Sequence, residues 1–87
     1  MNYKFYAFRE EIELLYLIDT VNSIEEIKLN EETFPEGAEA VYHNLKTNEV
    51  FVFFDEWERM EKEVEDNFFK ILKELSWLVI IHLRLME

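Results

Sequence analysis

From residue 56 to residue 75 the apolar side chains Trp57, Met60, Val64, Phe68, Ile71 and Leu75 recur at steps of 3, 4, 4, 3 and 4, the period of a helix with one buried face. Asp55 stands where a cap belongs and Glu58 three residues on. Lys70 and Lys73 lie toward the end where the helix dipole favours cations. The spacing predicts a helix over Glu56 to Leu75, about 30 Å long. Ser76 leaves almost no connection before Trp77, Leu78, Val79, Ile80 and Ile81, a run apolar on both faces that reads as a buried strand. Upstream, Ala40 to Leu45 and Val50 to Phe54 flank the polar tetrad Lys46, Thr47, Asn48 and Glu49, the pattern of a hairpin. Pairing Leu45 with Val50 sets His43 opposite Val52 and Val41 opposite Phe54. One face then holds Val41, His43, Leu45, Val50, Val52 and Phe54, and the other Tyr42, Asn44, Phe51 and Phe53. Both faces carry apolar bulk, so the hairpin needs cover on two sides.

The first third is less regular. Tyr3 to Phe8 has the character of a strand. Arg9 to Val21 sets Leu14, Leu17, Ile18 and Val21 on one helical face, although its alternation also permits a strand; helix is the preferred reading. Ser23 followed by Glu26 suits a capped helical turn, and the alternation of Glu25, Ile27 and Leu29 suits a short edge strand. Strand, helix, hairpin, helix, strand is the order of an α+β split βαβ, or ferredoxin-like, single-sheet sandwich. A curled sheet with one long helix lying across it is the rival. The one Pro and one Gly, Pro35 and Gly37, mark the one clear loop, and no linker or repeat divides residues 1–87, so a single compact domain is expected.

Charge changes this picture most. The chain carries 20 acidic against 9 basic residues, a formal net charge of −11, on a sequence whose 49% hydrophobic content is too high for a disordered acidic tail. The excess is clustered. Residues 23 to 40 hold Glu25, Glu26, Glu31, Glu32, Glu36 and Glu39 with only Lys28. Residues 55 to 66 hold Asp55, Glu56, Glu58, Glu61, Glu63, Glu65 and Asp66 with only Arg59 and Lys62, and residues 9 to 19 add Glu10, Glu11, Glu13 and Asp19 against Arg9. On the expected helix, Glu58, Glu61 and Glu65 form a row about 5 to 6 Å apart along the axis. Such a row matches every second phosphate of a strand charged every ~3.4 Å, with the 23 to 40 loop supplying a second row. The pairs Asp55 with Arg59, Glu58 with Lys62, Arg59 with Glu63 and Lys62 with Asp66 suit an ordinary solvated helix, but two bases do not neutralise seven acids.

Chemistry by side-chain type is sparse. Without cysteine there is no disulfide, thiolate metal site or thiol nucleophile, and a reducing cytoplasm fits the composition. The N-terminal residues lack the cationic lead and apolar run of a secretory signal. The longest apolar run, Trp77 to Ile81, is far below the ~20 residues that cross a bilayer, and net negative charge repels anionic lipid, so no membrane role is expected. His43 on an apolar face and His82 near a strand end have no metal-ligand spacing and read as structural. Ser23 and Ser76 sit in cap and turn contexts, and no glycine-rich phosphate cradle occurs. No catalysis, cofactor or metal is expected. Glu49 to Phe54 (EVFVFF) resembles the aromatic third strand of RNA-recognition-motif domains over about a dozen residues when Lys4 to Phe8 is taken as the first strand. It lacks that family's glycines and basic lead residue, and the charge opposes phosphate.

In length and charge the chain resembles the small acidic inhibitors of phages and other mobile elements, anti-CRISPR and anti-restriction proteins among them, with no shared motif. That resemblance implies a nucleic-acid mimic that blocks the basic nucleic-acid-binding site of a processing protein without binding nucleic acid itself. Its expected partner surface is Glu25, Glu26, Glu31, Glu32, Glu36, Glu39, Glu56, Glu58, Glu61, Glu65 and Asp66, with Phe69 or Tyr42 as apolar anchors. An immunity protein or antitoxin for a basic nuclease is the alternative. A structural subunit that dimerises through Tyr42, Phe51 and Phe53 is the third.

Overall fold

The computed structural model describes residues 2–29 and 34–85, and the side chains of 2–29 and 34–75. Among the described residues five strands are followed by one helix: β1 (Tyr3–Arg9), β2 (Leu14–Val21), β3 (Glu39–Asn44), β4 (Val50–Phe53), β5 (Trp57–Arg59) and α1 (Lys62–Leu85). The strands form one sheet in the order β2-β1-β3-β4-β5, antiparallel at every pairing. This is a small α+β fold, but not the split βαβ order. It matches the rival arrangement of one long helix across a sheet.

β1 lies between β2 and β3 and is apolar on both faces, with Phe5, Tyr6, Ala7 and Phe8 all buried. On one face α1 crosses the sheet. Phe68, with no exposed surface, sets its ring edge-on to Tyr6 at 5.3 Å and Phe8 at 5.6 Å, among Val41, Val50, Val52, Met60 and Ile71. On the other face Phe5 stacks on Phe34 at 6.2 Å, and Tyr42 lies against Phe51 at 4.9 Å and Trp57 at 4.8 Å. The second cover therefore comes from the connection between β2 and β3 and from Trp57.

Four expectations change. Residues 9 to 21 are a 3-10 turn, Glu10–Ile12, and strand β2 rather than a helix. Glu13 takes a left-handed conformation at φ 51, which ends the turn and starts the strand. The helix-like spacing of Leu14, Leu17, Ile18 and Val21 has a cause: Phe5 pairs with Asp19 and Tyr6 with Leu17, leaving Ile18 as an extra residue in a bulge. One inserted residue inverts the alternation. Leu15 consequently faces α1 beside Phe8, while Val21 faces the other side beside Tyr3.

The hairpin forms with its expected faces but with the register shifted by two residues, Val41 opposite Val52 and His43 opposite Val50. Asn44 donates its N–H to Glu49 at 2.8 Å, and Asn48 takes φ 65 within the loop. A slip of two preserves which face each residue occupies. Leu45 and Phe54 fall outside the ladder and are exposed.

The expected helix over 56 to 75 begins only at Lys62. Phe54 donates its N–H to the Glu56 carbonyl in a tight turn, and Trp57 to Arg59 returns as β5. Pairing with β4 and the contacts of Trp57 with Tyr42 and Phe53 outweigh the helical period there. Asp55 and Glu58 consequently form no capping box at a helix start.

The strand expected at Trp77 to Ile81 is instead the continuation of α1 to Leu85. An apolar run is ambiguous between buried strand and helix. Extending an existing helix adds one hydrogen bond per residue without a new nucleation cost, whereas a further strand would need its own connection back to the sheet. The side chains of Trp77, Ile81 and His82 lie outside the described residues. Among the described residues no helix is long and apolar enough to cross a membrane.

Candidate cation-docking cleft

Where β1 ends and β3 begins, the sheet, the 3-10 turn and the start of α1 enclose a cleft of about 490 Å³. Its floor is the flank of the core, Phe8, Val52, Met60 and Val64, with Phe54 at the rim, 57% exposed. Its walls carry Glu10 and Glu11 from the turn, Glu39 from β3, Glu58 from β5 and Glu61 from the approach to α1, with Arg9 and Arg59. Each carboxylate arrives by a separate local route. The 3-10 turn that Glu13 closes sets Glu10 and Glu11 at the end of β1, while the tight turn at 54 to 56 returns β5 so that Glu58 and Met60, two residues apart, face the same side.

The two guanidinium groups are already committed. Arg9 Nε donates to Glu11 at 2.8 Å, and its guanidinium lies over Gly37, where a Cβ would stand 3.2 Å from Nη1. Gly37 is also held at φ +79, so glycine serves both the turn and the seat for Arg9. Arg59 donates to Glu49 at 2.6 Å and to Glu65 at 3.3 Å. Asn67 donates to Glu10 at 2.9 Å. Among the described residues no donor reaches the carboxylates of Glu39, Glu58 or Glu61. None of the four i, i+4 pairs expected of a solvated helix forms: Asp55, Glu58 and Arg59 precede the helix, and Lys62 and Asp66, both within it, make no ion pair with each other.

The electrostatics follow from that imbalance. Partial burial raises the pKa of Glu39, and the nearby charges of Glu11 and Glu10 raise it further. Glu11, fully exposed, is held below the usual range by the hydrogen bond from Arg9. Three unmatched carboxylates above an apolar floor have the shape and charge to receive a guanidinium or ammonium group whose methylene stem lies on Phe8 and Val64. Among the described residues no Ser, Thr, Cys or His lines the cleft. Among the described residues no cluster of His, Asp and Glu has the placement to hold a metal ion.

The residues expected on the partner surface separate into distinct places. Glu39, Glu58 and Glu61 meet in the cleft. Glu36 lines an adjoining hollow of about 600 Å³ with Phe34, Pro35, Phe53 and Phe54, which shares Gly37 and Glu39 with the cleft. Glu65 is bound to Arg59, and Asp66 lines a shallow surface beside it. Glu56 is exposed in the turn before β5. Glu25 and Glu26 lie in a 3-10 turn, Ile24–Glu26, near the opposite end of β1, roughly 20 Å away at a strand's rise per residue. The Glu26 carboxylate accepts the N–H groups of Asn22 at 2.7 Å and Ser23 at 3.1 Å and so acts as a cap. Glu31 and Glu32 lie outside the described residues.

The expected row of Glu58, Glu61 and Glu65 along one helix is absent, since Glu58 is in a strand and Glu61 precedes the helix. Glu10 and Glu11 are the cleft residues that the sequence reading left out, although their charge was visible. Reading 9 to 21 as helix hid the turn that brings them back. Of the suggested anchors, Tyr42 is buried, and Phe69 packs on His43 at 5.3 Å. His43 is itself buried, its Nε2 2.6 Å from Asn48 Oδ1.

Comparison of the chain with family models, curated proteins and solved structures finds no match.

Proposed function

We propose that this protein is a small acidic binding inhibitor whose cleft receives Arg or Lys side chains from the nucleic-acid-binding site of a processing protein, excluding DNA or RNA by competition. The observation that carries the reading is the set Glu39, Glu58 and Glu61: three carboxylates without a donor among the described residues, beside Glu10 and Glu11, over an apolar floor. Holding them together opposes folding through self-repulsion, and a docked cation relieves that cost. The mimicry is of charge in a concave site, not of a regular phosphate row, and no bond is made or broken. An immunity protein for a basic nuclease uses the same chemistry against one cognate enzyme.

Dimerisation through Tyr42, Phe51 and Phe53 has weaker support. Tyr42 is buried, and the two phenylalanines are half-buried against it and Trp57. The same packing removes the free stacking platform that the likeness to RNA-recognition motifs required.

The test is capture of partners by the full chain from lysate, followed by release with added DNA or RNA and by Glu39→Lys, Glu58→Lys and Glu61→Lys together. The expected partner binds nucleic acid and surrenders it to this protein, and the reversed variant captures nothing. Unchanged capture by that variant contradicts the reading.

A further inference from the structure

The two edges of the sheet are built differently. β5 is three residues long and carries Glu58 and Arg59, whereas β2 runs for eight residues with no charged side chain between Glu13 and Asp19. Sheets commonly blunt their edges with short strands, charges or proline, because an outer strand presents unpaired N–H and C=O groups that accept another strand. β2 uses such a device only at its far end. There Asp19 Oδ1 takes the Thr20 N–H at 2.8 Å, and the Ile18 bulge breaks the ladder.

Leu14 to Leu17 is left open. Tyr16 is 58% and Leu17 46% exposed, and among the described residues no strand pairs with the outer side of β2. Charge selects the occupant. Glu10, Glu11 and Glu13 are exposed just before the open stretch, and Asp19 is exposed just after it. A second copy would bring the same carboxylates and its own net charge of −11 to this edge. A segment with cations at its ends matches the flanks.

We propose that the open edge of β2 takes up, as an added strand, an extended segment of a partner protein that is uncharged in its middle and carries Lys or Arg at its ends. Main-chain hydrogen bonds to Leu14 to Leu17 supply affinity, Tyr16 and Leu17 cover alternate side chains, and the flanking carboxylates set the preference for basic ends. This edge adjoins the cleft at Glu10 and Glu11, but the inference does not rest on the cleft's proposed role.

The test titrates the isotope-labelled full chain with a short peptide of alternating valine and threonine between lysine pairs, following backbone amide shifts and hydrogen exchange. Saturable shifts and slowed exchange at Leu14 to Leu17 are expected. N-methylation of alternate peptide nitrogens should abolish them, and exchanging the lysines for glutamates should weaken binding about tenfold. Tyr16→Lys and Leu17→Lys, at exposed positions that leave the core intact, should each remove binding. The combined Glu39→Gln, Glu58→Gln and Glu61→Gln variant should retain it. Shifts confined to the cleft and indifferent to N-methylation overturn the proposal, as does binding that survives both lysine substitutions. Protection of Leu14 to Leu17 that grows with protein concentration in the absence of peptide assigns the edge to a second copy and overturns it equally.

Discussion

The two ends of β1 carry similar side chains in opposite circumstances. At the end near Asn2, polar groups are used up by the fold: Glu26 caps Asn22 and Ser23, Glu49 takes Arg59, and Asn44 Oδ1 accepts the Lys46 N–H at 3.0 Å. At the end near Phe8, Glu39, Glu58 and Glu61 stand without a donor among the described residues, and the nearby charges of Glu11 and Glu10 help to raise the Glu39 pKa. An acidic count therefore says little about where acidity is available. What distinguishes Glu26 and Glu49 from Glu39, Glu58 and Glu61 is whether backbone N–H groups or a guanidinium have already claimed the carboxylate.

Mutations can break that comparison, beginning with the scaffold both ends share. Phe68→Ala empties a fully buried site between Tyr6 and Phe8 and should cost about 3 to 5 kcal/mol in urea denaturation. A loss below about 1 kcal/mol would mean that α1 does not hold the sheet as described. At the used end, Glu26→Ala should lower stability by about 1 kcal/mol through the lost cap and leave partner capture unchanged. At the free end the sign reverses: Glu58→Gln with Glu61→Gln should leave stability unchanged or raise it while weakening capture. Matching stability losses at both ends would erase the distinction.

The smallest effect is in the pH dependence. Because the folded state raises the Glu39 pKa above its unfolded value, the folded protein holds that proton more tightly. Stability from this group is greatest below the unfolded value and falls as pH rises through the folded one. Glu39→Gln should flatten the decline just above the ordinary carboxylate range. A cation docked at the cleft should lower that pKa again, so complex formation in the same window should release protons, measurable by calorimetry in buffers of different ionisation enthalpy.

Sequence pattern revealed the hairpin and its two faces because alternation survives a register slip of two residues. It leaves β2 as the less favoured alternative to a helix, since the Ile18 bulge turns a strand's alternation into the spacing of a helix. It does not separate β5 from α1, because Trp57 and Met60 happen to fall in phase with Val64 and Phe68 although the chain reverses between Phe54 and Glu56. The same two errors decided what could be seen of the cleft. The sequence shows Glu58 and Glu61 as acids, but the helical period sets them on a helix, and it shows Glu10 and Glu11 as charge without a position. Charge alone marks Glu39 in the sequence, while its proximity to Glu10 and Glu11 depends on the pairing of Phe8 with Glu39 across β1 and β3.

The most direct test follows the side-chain carboxyl signals of the full chain by NMR while the captured partner is added. The expected result is that Glu39, Glu58 and Glu61 shift together and saturate at one equivalent, while Glu25 and Glu26 stay in place. Shifts of Glu25 and Glu26 with a silent cleft, or small shifts spread evenly over all glutamates, would contradict the account.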